Sequence, residues 1–203
     1  LSEASPVVSI NDPKNSKEGS IGKPVPRTKV KITDIETGLD VLAVGMTGEI
    51  TVRGPQVMAG YYNKPEATAK KLRGGWLYTG DIGYMDAEGN LYLTDRRDDM
   101  AKISGENVYP SEVEKVILRH PDIAETVVVG IKDEEKGETL CAIIVLKGEV
   151  TRLSDLKNFL AKKLAPHEVP RHIYIVKDIE IYKNNLGKIL RKKIREAIQK
   201  EEI

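Results

Sequence analysis

Along the first half of the chain, apolar residues alternate with polar ones over short stretches broken by glycine, proline and asparagine, which is the rhythm of a strand-rich region. Val7 to Ile10 is a short apolar patch, and a polar segment runs from Asn11 to Ser20. Lys29-Val30-Lys31-Ile32 alternates with period two, Asp34 to Leu39 supplies a turn, and Gly48-Glu49-Ile50-Thr51-Val52 enters another strand. Glu66 to Leu72 predicts a short helix, entered near Asn63 or Pro65 and stopped by Gly74-Gly75. Leu77 to Gly83 and Leu91-Tyr92-Leu93 predict a hairpin across Asp86-Ala87-Glu88-Gly89-Asn90, with Gly89 setting the loop.

The rhythm changes after Arg97. Pro110 to Leu118 has an early proline, acids at Glu112 and Glu114 and an apolar stripe through Val113, Val116 and Ile117, which predicts a helix ended by His120-Pro121. Ile123 to Ile131 and Thr139 to Leu146 read as paired strands around a polar turn from Asp133 to Gly137. Leu153, Leu156, Phe159, Leu160 and Leu164 recur at spacings of three and four, so that segment is a helix lying on a sheet. Arg171 to Val176 adds a third strand, and Ile189 to Ile198 a final basic helix. The boundary falls at the charged link Asp95-Arg96-Arg97-Asp98-Asp99: residues 1–97 form a strand-rich piece and residues 98–203 a compact α+β unit.

Composition narrows the function classes. The 203 residues carry 32 basic and 31 acidic side chains, a net charge of +1 at pH 7, which is neither a disordered polyelectrolyte nor a uniformly basic nucleic-acid surface. A single cysteine, Cys141, permits no intrachain disulfide, and with three scattered histidines it leaves little for a Cys/His metal cage. No run approaches the roughly 20 apolar residues of a membrane span, and no secretory signal opens the chain. A reducing, intracellular setting is expected. The start at Leu1-Ser2-Glu3, without Met, leaves open that the chain is a piece of something longer.

Several residues have the chemistry for phosphate and sugar recognition. Lys188 follows a glycine at the mouth of the last helix, where an ammonium can swing towards a phosphate or carboxylate, although lysines there also read as solvated helix surface. The Gly187-Lys188 pair is not a P-loop, since the preceding glycine spacing and the following hydroxyl are missing. Asp81, at a strand edge after Gly80, suits a vicinal diol such as a ribose, or simply forms a turn. Arg96 suits a phosphate or sugar oxygen, or a surface ion pair. Ser104-Gly105-Glu106-Asn107 reads as a tight hairpin turn, and Cys141 as an inert buried thiol.

Taken in order, Leu1-Ser2-Glu3-Ala4-Ser5-Pro6, Gly19 to Pro24, Gly48-Glu49-Ile50, Gly60 to Pro65, Trp76 to Asp81, Asp95 to Glu114 and Asn184 to Arg191 resemble the acyl- and aryl-CoA ligase family of adenylate-forming enzymes. The resemblance covers essentially the whole chain and is most like a fatty-acid-CoA ligase. It implies the carboxy-terminal portion of such an enzyme, with most of the large domain, including its phosphate loop and acyl pocket, missing upstream. Residues 1–97 would be the barrel-like end of the large domain. Residues 98–203 would be the mobile small domain, a three-stranded sheet with flanking helices. The chain alone would then be inactive.

Residue by residue, the resemblance implies that Glu3 is the acid associated with Mg2+ and the nucleotide phosphates, with Ser2 beside it where threonine is usual. Asp81 becomes the ribose acceptor and Arg96 a nucleotide contact. Asp98 is the hinge, and Ser104, Gly105 and Glu106 form the turn that faces CoA. Lys188 becomes the catalytic lysine bridging carboxylate and adenylate oxygens. ATP, Mg2+ and CoA are the implied cofactors and co-substrate, and a fatty acid or other small carboxylic acid the substrate. No nucleic acid is implied, a homo-oligomer stays open, and the expected location is cytoplasmic, with a peripheral membrane position left open. Ligation of an aryl or short-chain acid, transfer to a carrier-protein thiol, and a noncatalytic interaction module remain alternatives.

Overall fold

The computed structural model describes residues 1–135, 137–148 and 152–202. Lys136, inside the turn expected between residues 133 and 137, and the terminal Ile203 lie outside them. The chain divides into two compact units, Leu1–Asp98 and Asp99–Ile203.

The first unit is a curled antiparallel sheet of seven strands: β1 (Ser9–Ile10), β2 (Ser20–Pro24), β3 (Lys29–Thr33), β4 (Gly48–Arg53), β5 (Leu72–Arg73), β6 (Trp76–Met85) and β7 (Leu91–Arg96). The order is β1-β2-β7-β6-β4-β3, with β5 paired to β6. Register shifts in the β2/β7, β4/β6 and β6/β7 pairings put local bends into these strands. Ile32, Ile50, Val52 and Leu91 are buried together on one face, as the period-two pattern of β3 and β4 requires. Helix α1 (Pro65–Lys71) starts on its proline and runs into β5. Gly83 sits where β6 and β7 nearly touch: a Cβ there would lie 2.1 Å from the Tyr92 carbonyl oxygen and 3.0 Å from Ile50 Cδ1. Gly83→Ala is therefore expected to destabilise the fold by about 2–3 kcal/mol. Urea unfolding measures this, and an unchanged midpoint would contradict the close approach.

The second unit holds a two-stranded hairpin, β8 (Ala101–Ile103) and β9 (Glu106–Val108), and a three-stranded sheet of β10 (Ile123–Asp133), β11 (Gly137–Leu146) and β12 (His172–Val176). The β10 and β11 strands are antiparallel, whereas β12 runs parallel to β11 after a crossover through α3 (Leu153–Ala161). Both faces of this sheet are covered. Val128, Leu140, Ala142 and Ile144 pack with α2 (Pro110–Ile117), α3 and the β8–β9 hairpin, while Val127, Val129, Cys141 and Ile143 pack with α4 (Arg191–Gln199) and Tyr182. Double coverage explains why β10 and β11 read as continuous apolar runs rather than alternating ones.

Three expectations shift in detail. Strand β2 forms where the sequence showed only a polar segment and an unassigned Gly/Pro-containing stretch, and α3 stops at Ala161. The last helix begins at Arg191, not Ile189, because Ile189 bridges to Lys183 and the Leu190 N–H donates to Tyr182 O at 2.8 Å. Those two residues are spent closing a loop. No helix among the described residues is long and apolar enough to cross a membrane.

Candidate functional site

In the first unit, Ser2 and Glu3 begin a single 3-10 turn, Ser2–Ala4, anchored by fully buried Ala4 and closed by Ser5 in the left-handed region (φ 49°). Ser2 is exposed. Backbone Glu3 O accepts from Met58 N–H at 2.8 Å, and Glu3 Oε1 accepts from the Tyr61 hydroxyl at 2.8 Å. The carboxyl of Glu3 lies below its usual range because its own backbone N–H and the Tyr61 hydroxyl stabilise the anion. Burial opposes this, and the charges of Lys71 and the N-terminus add smaller lowering effects. With its folded pKa depressed, Glu3 contributes stability above its unfolded pKa, and that contribution is lost as pH falls through the folded value. The same contact raises the Tyr61 pKa and keeps the phenol a donor.

Asp81 and Arg96 are cross-strand partners in the β6/β7 register, although they are far apart in sequence. Arg96 Nη1 donates to Asp81 Oδ1 at 2.5 Å, with Asp81 one-fifth exposed and Arg96 about half. The two candidates thus satisfy each other, and a ligand reaching them meets a prepaired acceptor and cation. Beneath them the Thr79 hydroxyl accepts from Asp81 N–H at 3.0 Å and donates to Ile50 O at 2.7 Å, which fixes the chain as it turns at Gly80. Gly80 has φ +77°, and a Cβ there would lie 3.1 Å from Lys71 Nζ and 3.7 Å from Arg96 Nη2. That glycine lets two cations close over one stretch of backbone.

Glu49 lies under this corner, 2% exposed, and its two oxygens accept from Gly80 N–H and from Arg97 Nη1, each at 2.9 Å. Arg97 N–H in turn donates to Gly80 O at 2.8 Å. Sequence reasoning passed over Tyr61, Lys71, Glu49 and Arg97 as functional residues. No signal for them was available locally: Glu49, Thr51 and Arg53 alternate with Ile50 and Val52, so the acid at position 49 reads as part of a solvated polar face.

In the second unit, Lys188 stands at the end of a tight loop. Asn184 Oδ1 accepts from Leu186 N–H at 3.0 Å and Lys188 N–H at 2.9 Å, and Asn184 O accepts from Gly187 N–H at 2.8 Å. Asn184 N–H donates to Lys188 O at 2.9 Å, and Gly187 adopts φ +76°. Lys188 is exposed, and among the described residues its ammonium has no hydrogen bond or ion pair. Behind the loop, the Arg191 guanidinium grips both oxygens of Glu114 at 2.6 and 3.0 Å and donates to Val128 O at 2.7 Å. This bidentate, partly buried pair fixes the first turn of α4 against α2 and β10.

Ser104 and Gly105 form the two-residue turn between β8 and β9, both with positive φ (52° and 89°), the geometry of a type I′ hairpin. Both are exposed, as is Glu106. A Cβ at Gly105 would meet nothing within 4 Å, so its glycine serves backbone conformation here. Asp98 has anchored neighbours on each side. Arg97 is tied to Glu49 and Gly80 within the first unit, and Asp99 is tied to Arg195 at 3.1 Å and Arg191 at 3.6 Å within the second. Cys141 is fully buried, and burial pushes its thiol up to about 12.

Comparison with known proteins bears on this arrangement. Residues 1–62 match the AMP-binding enzyme family, and residues 112–188 match the AMP-binding enzyme C-terminal domain. A long-chain-fatty-acid–CoA ligase of Bacillus subtilis (strain 168) is 48% identical over 199 residues, covering 97% of this chain and 35% of that protein. A 2-succinylbenzoate–CoA ligase of Bacillus cereus (strain Q1) is 40% identical over 184 residues, covering 91% of this chain and 37% of that protein. The o-succinylbenzoate CoA synthetase of Bacillus subtilis, solved with its acyl-adenylate intermediate, superimposes with a TM-score of 0.85 at 36% identity, covering 96% of this chain and 40% of that one. Its complex with ATP and magnesium ion gives a TM-score of 0.84 at 36% identity, with the same coverage. The chain spans about a third of the length of the curated relatives it matches. With one match in the first unit, the other in the second, and relatives that run through the break between them, the chain belongs to the AMP-binding enzyme family and includes that family's C-terminal domain.

Proposed function

We propose that this chain is the nucleotide-contacting end and the mobile C-terminal domain of an ATP-dependent ligase that joins a long-chain fatty acid to coenzyme A. Residues 1–97 are the terminal portion of its large domain, and residues 98–203 are its small domain. The observation that carries the reading is Lys188: an exposed ammonium, unpaired among the described residues, on a backbone loop held by Asn184, a design suited to charge that arrives only with substrate. The 48% identity to the Bacillus subtilis long-chain-fatty-acid ligase supports the fatty acid; the other fatty-acid ligases (39–41%) and the 2-succinylbenzoate ligases (39–43%) overlap. An aromatic acid of the 2-succinylbenzoate type is the second reading, favoured by the likeness to the synthetase holding that acid's adenylate.

In the first half-reaction a carboxylate oxygen attacks the α-phosphorus of ATP, and the bond to pyrophosphate breaks. Lys188 holds the carboxylate and α-phosphate oxygens together as their charges converge. The free oxygen of Asp81 accepts from the ribose hydroxyls while Arg96, bonded to the other oxygen, keeps the carboxylate aimed. Glu3 suits Mg2+: it is ionised and fixed by Tyr61. Glu3 would offer a bound Mg2+ one carboxylate, with the nucleotide's own oxygens supplying further ligands, as Mg2+ prefers. When bound, Mg2+ supplies charge neutralisation on the phosphates. In the second half-reaction the CoA sulfur attacks the acyl carbonyl, its proton is lost and AMP leaves. The Ser104–Glu106 turn then takes over from Lys188 as the small domain turns about Asp98. The expected location of the whole enzyme is the cytoplasm. The chain alone does not turn over, because phosphate loop and acyl pocket lie upstream.

Asp81→Ala in the full-length protein tests the nucleotide assignment. Losing a charged acceptor costs about 1.5–3 kcal/mol, so the KM for ATP should rise roughly ten- to hundredfold while the KM for the acid moves little. A KM for ATP equal to wild type, in a protein that melts normally, would contradict it.

A further inference from the structure

Away from the Asp81 corner, the first unit carries a cationic groove of about 580 Å3, with Arg27, Lys29 and Arg53 in its wall. Lys29 of β3 stands directly opposite Arg53 of β4 in the antiparallel register. Like charges facing across strands destabilise a sheet, and no carboxylate lines the groove to relieve them. All three side chains are exposed, and none has a hydrogen bond or ion pair among the described residues. Arg96 and Arg97 of the same unit differ in this respect, each having a carboxylate oxygen within 2.9 Å.

Two further details favour a ligand over solvent. Arg27 occupies the third position of the turn Val25-Pro26-Arg27-Thr28, closed by Thr28 N–H to Val25 O at 3.1 Å, with φ +66°. That position after proline favours glycine or asparagine, yet here it delivers a guanidinium to the groove. The remaining wall is apolar, from Val57, Met58 and Leu72. Guanidinium forks match phosphate oxygens in pairs, and the lysine adds a point charge.

We propose that this groove binds a phosphate monoester with an apolar body, the phosphate held by Arg27, Lys29 and Arg53 and the body lying on Val57, Met58 and Leu72. It is separate from the residues assigned above to adenylation, and it stands or falls independently of them.

Calorimetric titration of the 203-residue chain at low salt, with hexyl phosphate and with inorganic phosphate, tests it. The expected result is saturable binding of hexyl phosphate, about tenfold tighter than inorganic phosphate because of the apolar contact, and weakening as salt rises. Lys29→Gln combined with Arg53→Gln should weaken hexyl phosphate binding by at least about tenfold. Without ligand that double variant should melt higher than wild type, since the facing charges are gone, which also reports that it folds. Lys192→Gln, on an exposed part of α4, should bind as wild type does. Absence of saturable binding, or a folded double variant that binds like wild type, would overturn the proposal. Equal affinity for the two phosphates would overturn the assignment of an ester with an apolar body.

Discussion

Lys188→Ala in the full-length protein should reduce carboxylate-dependent ATP–pyrophosphate exchange by about a hundredfold or more, while CoA attack on supplied acyl-adenylate loses far less. The physical reason is preorganisation. The Asn184 side chain and backbone accept from three N–H groups of the loop and its own N–H returns one bond, so the ammonium is delivered without ordering the backbone at the moment of reaction. Removing a positioned charge where phosphate and carboxylate charges converge costs about 3 kcal/mol. The substitution leaves the fold alone, since Lys188 is exposed and its side chain holds no partner among the described residues. Separate assays of the two half-reactions decide the matter: equal damage to both would remove Lys188 from the adenylation step.

Asp98→Pro should do the opposite. Proline fixes φ at residue 98, removes its N–H and restricts Arg97 to extended conformations. Because Arg97 is tied to Glu49 and Gly80, and Asp99 to Arg191 and Arg195, the proposed rotation of the small domain would fall on the torsions at residue 98. If the enzyme is locked with Lys188 at the reacting groups, exchange survives and CoA-dependent AMP release collapses. A thermal melt guards against simple unfolding. Normal CoA-dependent turnover by an intact Asp98→Pro protein would show that residue 98 is not the pivot.

Much of this architecture was legible because single elements carry their own periodicity. The three-and-four spacing from Leu153 onward marks α3, and the long apolar runs mark β10 and β11, whose two faces are both covered. Gly105 and Gly89, with Asp86 bonding back to Asn90, mark their hairpin turns through local backbone chemistry. What escaped depends on partners distant in the chain. Strand β2 contains Gly22 and ends on Pro24, and its place is set by β7, where Ser20 Oγ donates to Leu91 O at 3.1 Å. The Asp81–Arg96 pair exists only through the β6/β7 register, and the Glu49–Arg97 pair only through the curl of the sheet. Charges at positions 49 and 97 look alike in sequence whether solvated or clasped. The same holds for Arg191, which reads as one more cation in a basic tail and proves to be a brace between α4, α2 and β10.

The proposed enzyme activates a carboxylate with ATP and passes it to CoA. Carboxylate-dependent ATP–pyrophosphate exchange by the full-length protein tests this most directly, using acids from acetate to palmitate and 2-succinylbenzoate, with AMP release followed on addition of CoA. The expected result is exchange that requires an acid, is fastest with long-chain acids, and turns into stoichiometric AMP and acyl-CoA formation once CoA is present. A folded full-length protein that supports no exchange with any carboxylate would contradict the account at its root.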